Sequence, residues 1–101
     1  MPDNDALVLE DAGEVVSLLD VRYRSASFDD QVAIKPERDR AFSAYSAARL
    51  KLLQADVICT DADLEEMTRL RNEVRKAADK QSLVIAAAKV AVFLAKLAAK
   101  A

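Results

Sequence analysis

The clearest pattern in the chain is an apolar seam in its C-terminal part, where small and aliphatic residues recur at alternating spacings of three and four. These are the spacings of the a and d positions of a packed helix. No glycine or proline follows Pro36, so the seam predicts one continuous helix over residues 61–100, roughly 60 Å long at 1.5 Å per residue. Its members are Met67, Leu70, Val74, Ala77, Gln81, Val84, Ala88, Ala91, Ala95 and Ala98.

A second periodic pattern covers residues 5–24. Val8, Ala12 and Leu19 fall on one face of a helix with a period of 3.6 residues, and the charged residues of this segment fall on another face. Apolar and polar residues also alternate within residues 15–23, which fits a strand as well. Helix is the preferred interpretation, and the strand remains an alternative.

The middle of the chain predicts a connector followed by a helix. Residues 25–35 are rich in serine and aspartate, and Phe28 within them is expected to fill an edge of the core. Pro36 suits the first position of a helix, where its missing N–H would have had no partner, so a helix is predicted over residues 36–58. Thr60, with aspartate three residues later, matches a capping box and predicts the start of the last helix.

These patterns predict an all-α fold, a small three-helix domain built on an antiparallel helical hairpin with a long C-terminal helix. The second helix is only roughly 33 Å long at 1.5 Å per residue, so it covers about half of the last one. Residues 83–101 are apolar nearly all round and need another cover. The single domain spans residues 1–101, with helices over about 5–24, 36–58 and 61–100 and a connector over 25–35.

What covers residues 83–101 decides the class of function. The first helix is one candidate and would close a monomeric bundle. The leading hypothesis is instead a non-enzymatic interaction or assembly module, an adaptor making coiled-coil contacts with itself as a homo-oligomer or with another helical protein. The predicted interface comprises Val84, Ala88, Ala91, Phe93, Leu94, Ala95, Leu97 and Ala98.

Two other functions remain open. Lys89, Lys96 and Lys100 form a stripe on the apolar segment 83–101, a pattern typical of a helix inserted in a membrane surface, as in a peripheral membrane protein. Basic residues also cluster over 69–80, and a basic helix face can contact phosphates. Acidic residues interrupt this cluster and the isoelectric point is near 5.1, so a nucleic-acid accessory role is the weaker alternative.

Charge is unevenly distributed in this chain of 101 residues, although its net charge is only −2. Residues 1–33 carry eight acidic and two basic side chains, whereas residues 67–101 carry two acidic and eight basic ones. Such an acidic head and basic tail attract each other, within one chain or between chains.

Residues for catalysis or metal binding are scarce. The chain has no histidine, one cysteine and one glycine, so it lacks the commonest general base, a Cys/His pair and a phosphate-binding loop. Cys59 is expected to be a small core residue. We predict no catalytic residues, no metal site and no cofactor, and a protein that is not an enzyme. The acidic residues Asp61, Asp63, Glu65 and Glu66 suit the positive end of a helix dipole better than a metal site.

The expected location is cytoplasmic. A single cysteine excludes an internal disulfide framework. The acidic residues 1–5 also lack the basic region that begins a signal peptide.

Overall fold

The structure is a computed structural model that describes residues 3–54 and 56–100. Helices account for 87% of the described residues, which contain no strand, and this confirms the all-α prediction. The predicted domain and its second helix also include positions 1, 2, 55 and 101, which lie outside the described residues. Within the described ranges there are four helices rather than three: α1 (Asn4–Ser25), α2 (Phe28–Gln54), α3 (Asp61–Lys76) and α4 (Lys80–Ala98).

Helix α1 corresponds to the first predicted helix, 5–24, and it contains the segment 15–23 for which a strand was the alternative. Asp3 caps this helix, because its carboxylate accepts a hydrogen bond of 2.9 Å from the N–H of Ala6. The helical period places the apolar residues of α1 on the core side, which the two-residue period of a strand would not do. These buried apolar residues are Val8, Ala12, Val15, Val16 and Leu19.

Helix α2 begins at Phe28, so the predicted connector 25–35 is wrong for most of its length. Ser27 marks the start, and its hydroxyl accepts a hydrogen bond of 3.3 Å from the N–H of Asp30. Pro36, expected at the first helical position, lies inside the helix and forfeits one main-chain hydrogen bond. Burial of Ile34 offsets part of this loss, because a buried isoleucine contributes about 1.5–3 kcal/mol.

The predicted continuous helix over 61–100 is wrong, because the chain turns between α3 and α4. Ala77 is extended (φ −62°, ψ 113°), and Asp79 caps α4 by accepting a main-chain N–H bond of 2.7 Å. Arg22 of α1 donates a bond of 2.5 Å to the main-chain oxygen of Ala77, a group that the end of a helix otherwise leaves free. The turn folds α4 back onto α2 and α3, where it buries Leu83, Ala86, Ala87, Val90, Ala91, Leu94 and Leu97.

The fold consists of two antiparallel hairpins, α1–α2 and α3–α4, packed against each other. Helix α1 lies beside α3 and α2 lies beside α4, so the order around the bundle is α1, α2, α4, α3. Neighbours from different hairpins run parallel: Asn4 bonds Asp61 where α1 and α3 begin, and Arg22 bonds Ala77 where they end. The bundle measures 42 × 21 × 18 Å.

The core is aliphatic and rich in alanine. Small side chains at helix contacts allow the helix axes to approach closely. Large residues from all four helices fill the space between the hairpins. The buried apolar side chains are Val8, Ala12, Val15, Val16, Leu19, Ile34, Ala41, Ala48, Leu52, Cys59, Met67, Leu70, Val74, Ala77, Leu83, Ala86, Ala87, Val90, Ala91, Leu94 and Leu97.

One end of the bundle holds the crossover from α2 to α3, and we call it the crossover pole. The carboxylate of Asp5 accepts main-chain N–H bonds from Ile58 at 3.2 Å and Cys59 at 2.8 Å. Lys100 donates to the main-chain oxygen of Ile58 at 3.2 Å and to the carboxylate of Asp63 at 2.5 Å. Asp5 in the first turn of α1 and Lys100 just after α4 thus form hydrogen bonds with main-chain groups of Ile58 and Cys59, which lie in the loop before α3.

Candidate interaction surfaces

The predicted interface residues of the last helix divide into core and surface. Leu94, Leu97 and Ala91 are buried in the bundle, with at most 9% of each residue exposed. Because these three side chains already pack inside one chain, a partner reaches them only if the bundle opens. The remaining residues are on or near the surface: Val84, Ala88, Phe93 and Ala98 are half-buried, and Ala95 is exposed.

Two of these residues, Ala88 and Phe93, line an open groove of about 470 Å³ between α3 and α4, the α3/α4 groove. Leu70 of α3 and Val92 of α4 complete its apolar surface. Leu70 is buried, whereas Val92 is 56% exposed. The two helices cover each other incompletely here, which leaves apolar side chains facing water.

The rims of the α3/α4 groove carry opposite charges. Lys89 and Lys96 lie along the α4 rim, and Glu66 lies on the α3 rim. Lys89 donates a hydrogen bond of 2.9 Å to Glu73 of α3, so it bridges the two helices at one end of the groove. Within the described residues Lys96 makes no ion pair, and its ammonium group is available to an acidic side chain.

A second apolar surface runs along α2, and we call it the α2 stripe. At 100° per residue its five large apolar side chains fall within a sector of about 80° on the helix. The stripe is exposed along its whole length, unlike the buried face that packs on α4 and α1. Its members and their exposed fractions are Phe28 77%, Val32 60%, Phe42 36%, Leu50 59% and Leu53 67%.

Sequence reasoning missed the α2 stripe because it assigned residues 25–35 to a connector. Phe28 was expected to fill a core edge, but it is the most exposed of the large apolar residues of the stripe. Ser27 and the two acidic residues of the first turn were the signal for an earlier helix start. When α2 begins at Phe28, Phe28 and Val32 lie on the same face of the helix as Leu50 and Leu53.

Four of the five basic residues of 69–80 pair with acidic side chains, so they form no open basic patch. Arg71 lies 2.6 Å from Asp11, and Arg75 lies 2.5 Å from Glu14, both across the contact with α1. These acids neutralise much of the positive charge that a phosphate backbone requires. Two further pairs are Arg69 with Glu66 and Lys80 with Asp30.

The acidic side chains at the start of α3 bind groups of the protein itself. Thr60 and Asp63 form the predicted capping box, with bonds of 3.1 Å and 2.9 Å between each side chain and the other residue's N–H. Asp61 accepts a bond of 2.9 Å from Asn4. The described residues contain no group of three or more His, Cys, Asp or Glu side chains that could hold a metal ion.

Cys59 is buried at the crossover pole. Burial, followed by its hydrogen bond with Asp5, raises the pKa of the thiol to about 12. A thiol of such high pKa is almost wholly protonated near neutral pH and is a poor nucleophile.

Helix α4 is long and apolar enough to cross a membrane by length and composition, with a mean hydropathy of 1.7. Core helices of globular domains share this property. In this bundle α4 packs against α2 and α3 and contributes seven side chains to the core.

These features define a small four-helix bundle of two hairpins, with an apolar groove on one side and an apolar stripe on another. Comparison of the chain with protein-family models, with curated proteins and with solved structures found no match.

Proposed function

We propose that this protein is a non-enzymatic interaction module that binds an amphipathic helix of a partner protein in the α3/α4 groove. The observation that supports this proposal is the apolar floor formed by Leu70, Ala88, Val92 and Phe93 between two antiparallel helices. A groove of this kind accepts the apolar side of a third helix, a common mode of peptide recognition.

The charges at the groove specify the chemistry of that helix. Lys89 is paired with Glu73 and Glu66 with Arg69, so Lys96 is the groove charge left to attract an acidic residue, and the partner helix carries glutamate or aspartate beside its apolar stripe. Ala88 to Lys96 spans roughly 12 Å at 1.5 Å per residue, which matches two turns of a bound helix. Two or three apolar side chains at spacings of three and four would fill this length.

The rival functions have less support. The arginines of 69–80 are paired with acids of α1 and α3, which lowers the attraction for nucleic acid. The apolar side of α4 is largely used in the core, which leaves a membrane only the exposed Ile85 and Val92 among its large apolar residues. A non-enzymatic role and a cytoplasmic location remain part of the proposal.

The test uses synthetic helical peptides as probes and NMR chemical shifts of the isotope-labelled protein as the readout. Two peptides share the same leucine stripe, and one carries glutamates where the other carries lysines beside it. We expect the acidic peptide to shift the signals of Leu70, Ala88 and Phe93 and the basic peptide to bind at least tenfold more weakly.

Two matched variants on α4 sharpen this test. Val92→Asp places a charge in the groove and should abolish binding of the acidic peptide. Ile85→Asp alters a residue of similar exposure that does not line the groove, so it should leave binding unchanged. Equal loss in both variants, or no shift with either peptide, would contradict the proposal. Co-sedimentation with anionic vesicles that Val92→Asp removes would favour the membrane alternative instead.

A further inference from the structure

We infer that the α2 stripe is a two-fold interface at which a second copy of this chain packs antiparallel to the first. The stripe lies on a different side of the bundle from the α3/α4 groove. This interface therefore goes beyond the proposed function, and neither depends on the other.

The exposed area of the stripe is close to what a stable pair requires. Phe28 and Leu53 are 77% and 67% exposed, and the other three residues add to them. A large aromatic side chain carries about 150–250 Å², so the stripe presents roughly 450 Å² of apolar surface per chain. Two chains bury about twice this area. Lys35 and Ser46 lie within the same sector and Arg49 at its edge, and they bring the total past the roughly 1,000 Å² of a specific interface.

The spacing of the stripe suits two-fold symmetry. Apolar residues stand at both ends of α2, with Phe28 and Val32 near its start and Leu50 and Leu53 near its end. They are separated by roughly 37 Å along the helix from Phe28 to Leu53. In an antiparallel pair with its axis beside the middle of α2, Phe28 meets Leu53 of the second copy and Val32 meets Leu50. Such a self-complementary contact closes on itself as a dimer.

The polar centre of the stripe brings no unpaired charge into the interface. Lys35 and Asp39 form an ion pair of 2.7 Å within one helix, so their charges are already balanced. In the antiparallel register Lys35 faces Ser46 of the second copy, and Asp39 faces Phe42. The two Asp39 residues lie on either side of the two-fold axis, about 4.5 Å apart along the helix, and each is neutralised by Lys35 and Arg38 of its own chain. This arrangement limits the desolvation cost that an unbalanced charge would impose.

The aromatic ring of Phe42, near the centre of the α2 stripe, is held in place by Arg38. The guanidinium of Arg38 lies 5.2 Å from the ring centre of Phe42 and 4.8 Å from that of Tyr23. Arg38 is fixed in turn by a bond of 2.6 Å to Asp20. The ring of Phe42 is therefore ordered before association, which reduces the entropy lost when a second copy packs on it.

The test is the absolute mass in solution, measured by light scattering on a size-exclusion column over a concentration series. We expect a mass of about twice 11.0 kDa that falls towards 11.0 kDa on dilution. Phe28→Asp combined with Leu53→Asp should raise the dissociation constant at least a hundredfold. Val92→Asp and Ile85→Asp on α4 serve as matched controls and should leave the dimer intact. Circular dichroism checks that every variant retains its helices.

Cross-linking tests the antiparallel direction. In a Cys59→Ser background, chains with Phe28→Cys and chains with Leu53→Cys are mixed and oxidised. Mixed disulfide dimers should form in large excess over pairs joined through two identical positions.

The inference is overturned by a constant mass of 11.0 kDa at all concentrations, by a dimer that the stripe variants leave unchanged, or by masses that grow beyond a dimer. The two surfaces are tested separately. Val92→Asp should abolish peptide binding and leave the dimer intact, whereas Phe28→Asp with Leu53→Asp should disrupt the dimer and leave peptide binding intact.

Discussion

The carboxylate of Asp11 in α1 accepts a hydrogen bond of 2.6 Å from the guanidinium of Arg71 in α3. A second oxygen of Asp11 accepts a bond of 3.0 Å from the hydroxyl of Thr68. Asp11 is 9% exposed, so its charge depends on these two partners rather than on water. The pair joins the two parallel neighbours α1 and α3 at their middle.

Removal of this carboxylate should destabilise the bundle. We expect Asp11→Ala to lower the free energy of unfolding by about 2 kcal/mol, because Arg71 then remains half-buried without its main partner. Glu14→Ala is the control, since the pair of Glu14 with Arg75 is more exposed and should contribute less than about 0.5 kcal/mol. Urea unfolding measures both values. Equal effects of the two variants would show that the burial of Asp11 does not matter.

Replacement of Gly13 by alanine should stabilise α1, and the gain should be larger when the hydroxyl of Tyr45 is absent. A methyl group at this position would lie 3.3 Å from the hydroxyl oxygen of Tyr45, closer than an ordinary contact. Alanine favours a helix over glycine by about 1 kcal/mol. We therefore expect Gly13→Ala to stabilise a Tyr45→Phe background by about this amount and the wild type by less. Thermal unfolding of the four proteins tests this, and an equal gain in both backgrounds would disprove the role of the hydroxyl.

The Asp63–Lys100 pair should make stability fall at acidic pH. Burial raises the pKa of Asp63, but hydrogen bonds from Lys100 and Thr60 outweigh it and hold the pKa below its usual 3.8. A lowered carboxyl pKa stabilises the fold above the unfolded pKa, and this contribution is lost as the pH falls through the folded pKa. Asp63→Asn should therefore cost about 1 kcal/mol at pH 7 and progressively less below about pH 3.8.

Urea unfolding between pH 3 and 7 measures this dependence. Asp56→Asn, at an exposed residue of the same pole, is the control and should follow the wild type throughout. A difference between Asp63→Asn and the wild type that stays constant with pH would contradict the assigned role of the carboxylate.

The thiol of Cys59 should react slowly in the folded chain. With a pKa of about 12, its thiolate fraction at pH 8 is on the order of a thousandfold below that of an ordinary cysteine. We expect alkylation in buffer to be at least a hundredfold slower than in urea. Asp5→Ala should accelerate it, because the main-chain N–H groups of Ile58 and Cys59 then lose their acceptor. A similar rate in buffer and urea would show that the thiol is not protected.

Local signals in the sequence predicted much of the fold. The period of α1 and the capping box at Thr60 depend on residues close together in the chain, and both are present in the structure. The turn after Lys76 depends on Arg22, which donates to the main chain of Ala77 from 55 positions away. Within 61–100 the local signal for a second helix start was Asp79, the N-cap of α4, but the unbroken apolar spacing favoured one helix, so three helices were predicted where the described residues form four.

The candidate surfaces were predictable only in part. The high apolar content of residues 83–101 predicted a helix that packs against other elements, but the spacing of apolar residues does not reveal which elements those are. Helix α2 lies beside α4, so Leu94 and Leu97 pack in the core of the single chain. Serines near Phe28 resembled a turn, although Ser27 is in fact a helix cap.

The crossover pole also determines how the bundle would respond to mechanical load. Asn4 and Lys100 both bond to residues there, so force applied between them acts on one end of the bundle. Helices loaded at a shared end separate turn by turn, whereas helices loaded at opposite ends must slide past each other over their full contact. The bonds of Asp5 and Lys100 lie next to the loaded residues, whereas the contact of Arg22 with Ala77 lies at the far end of the bundle.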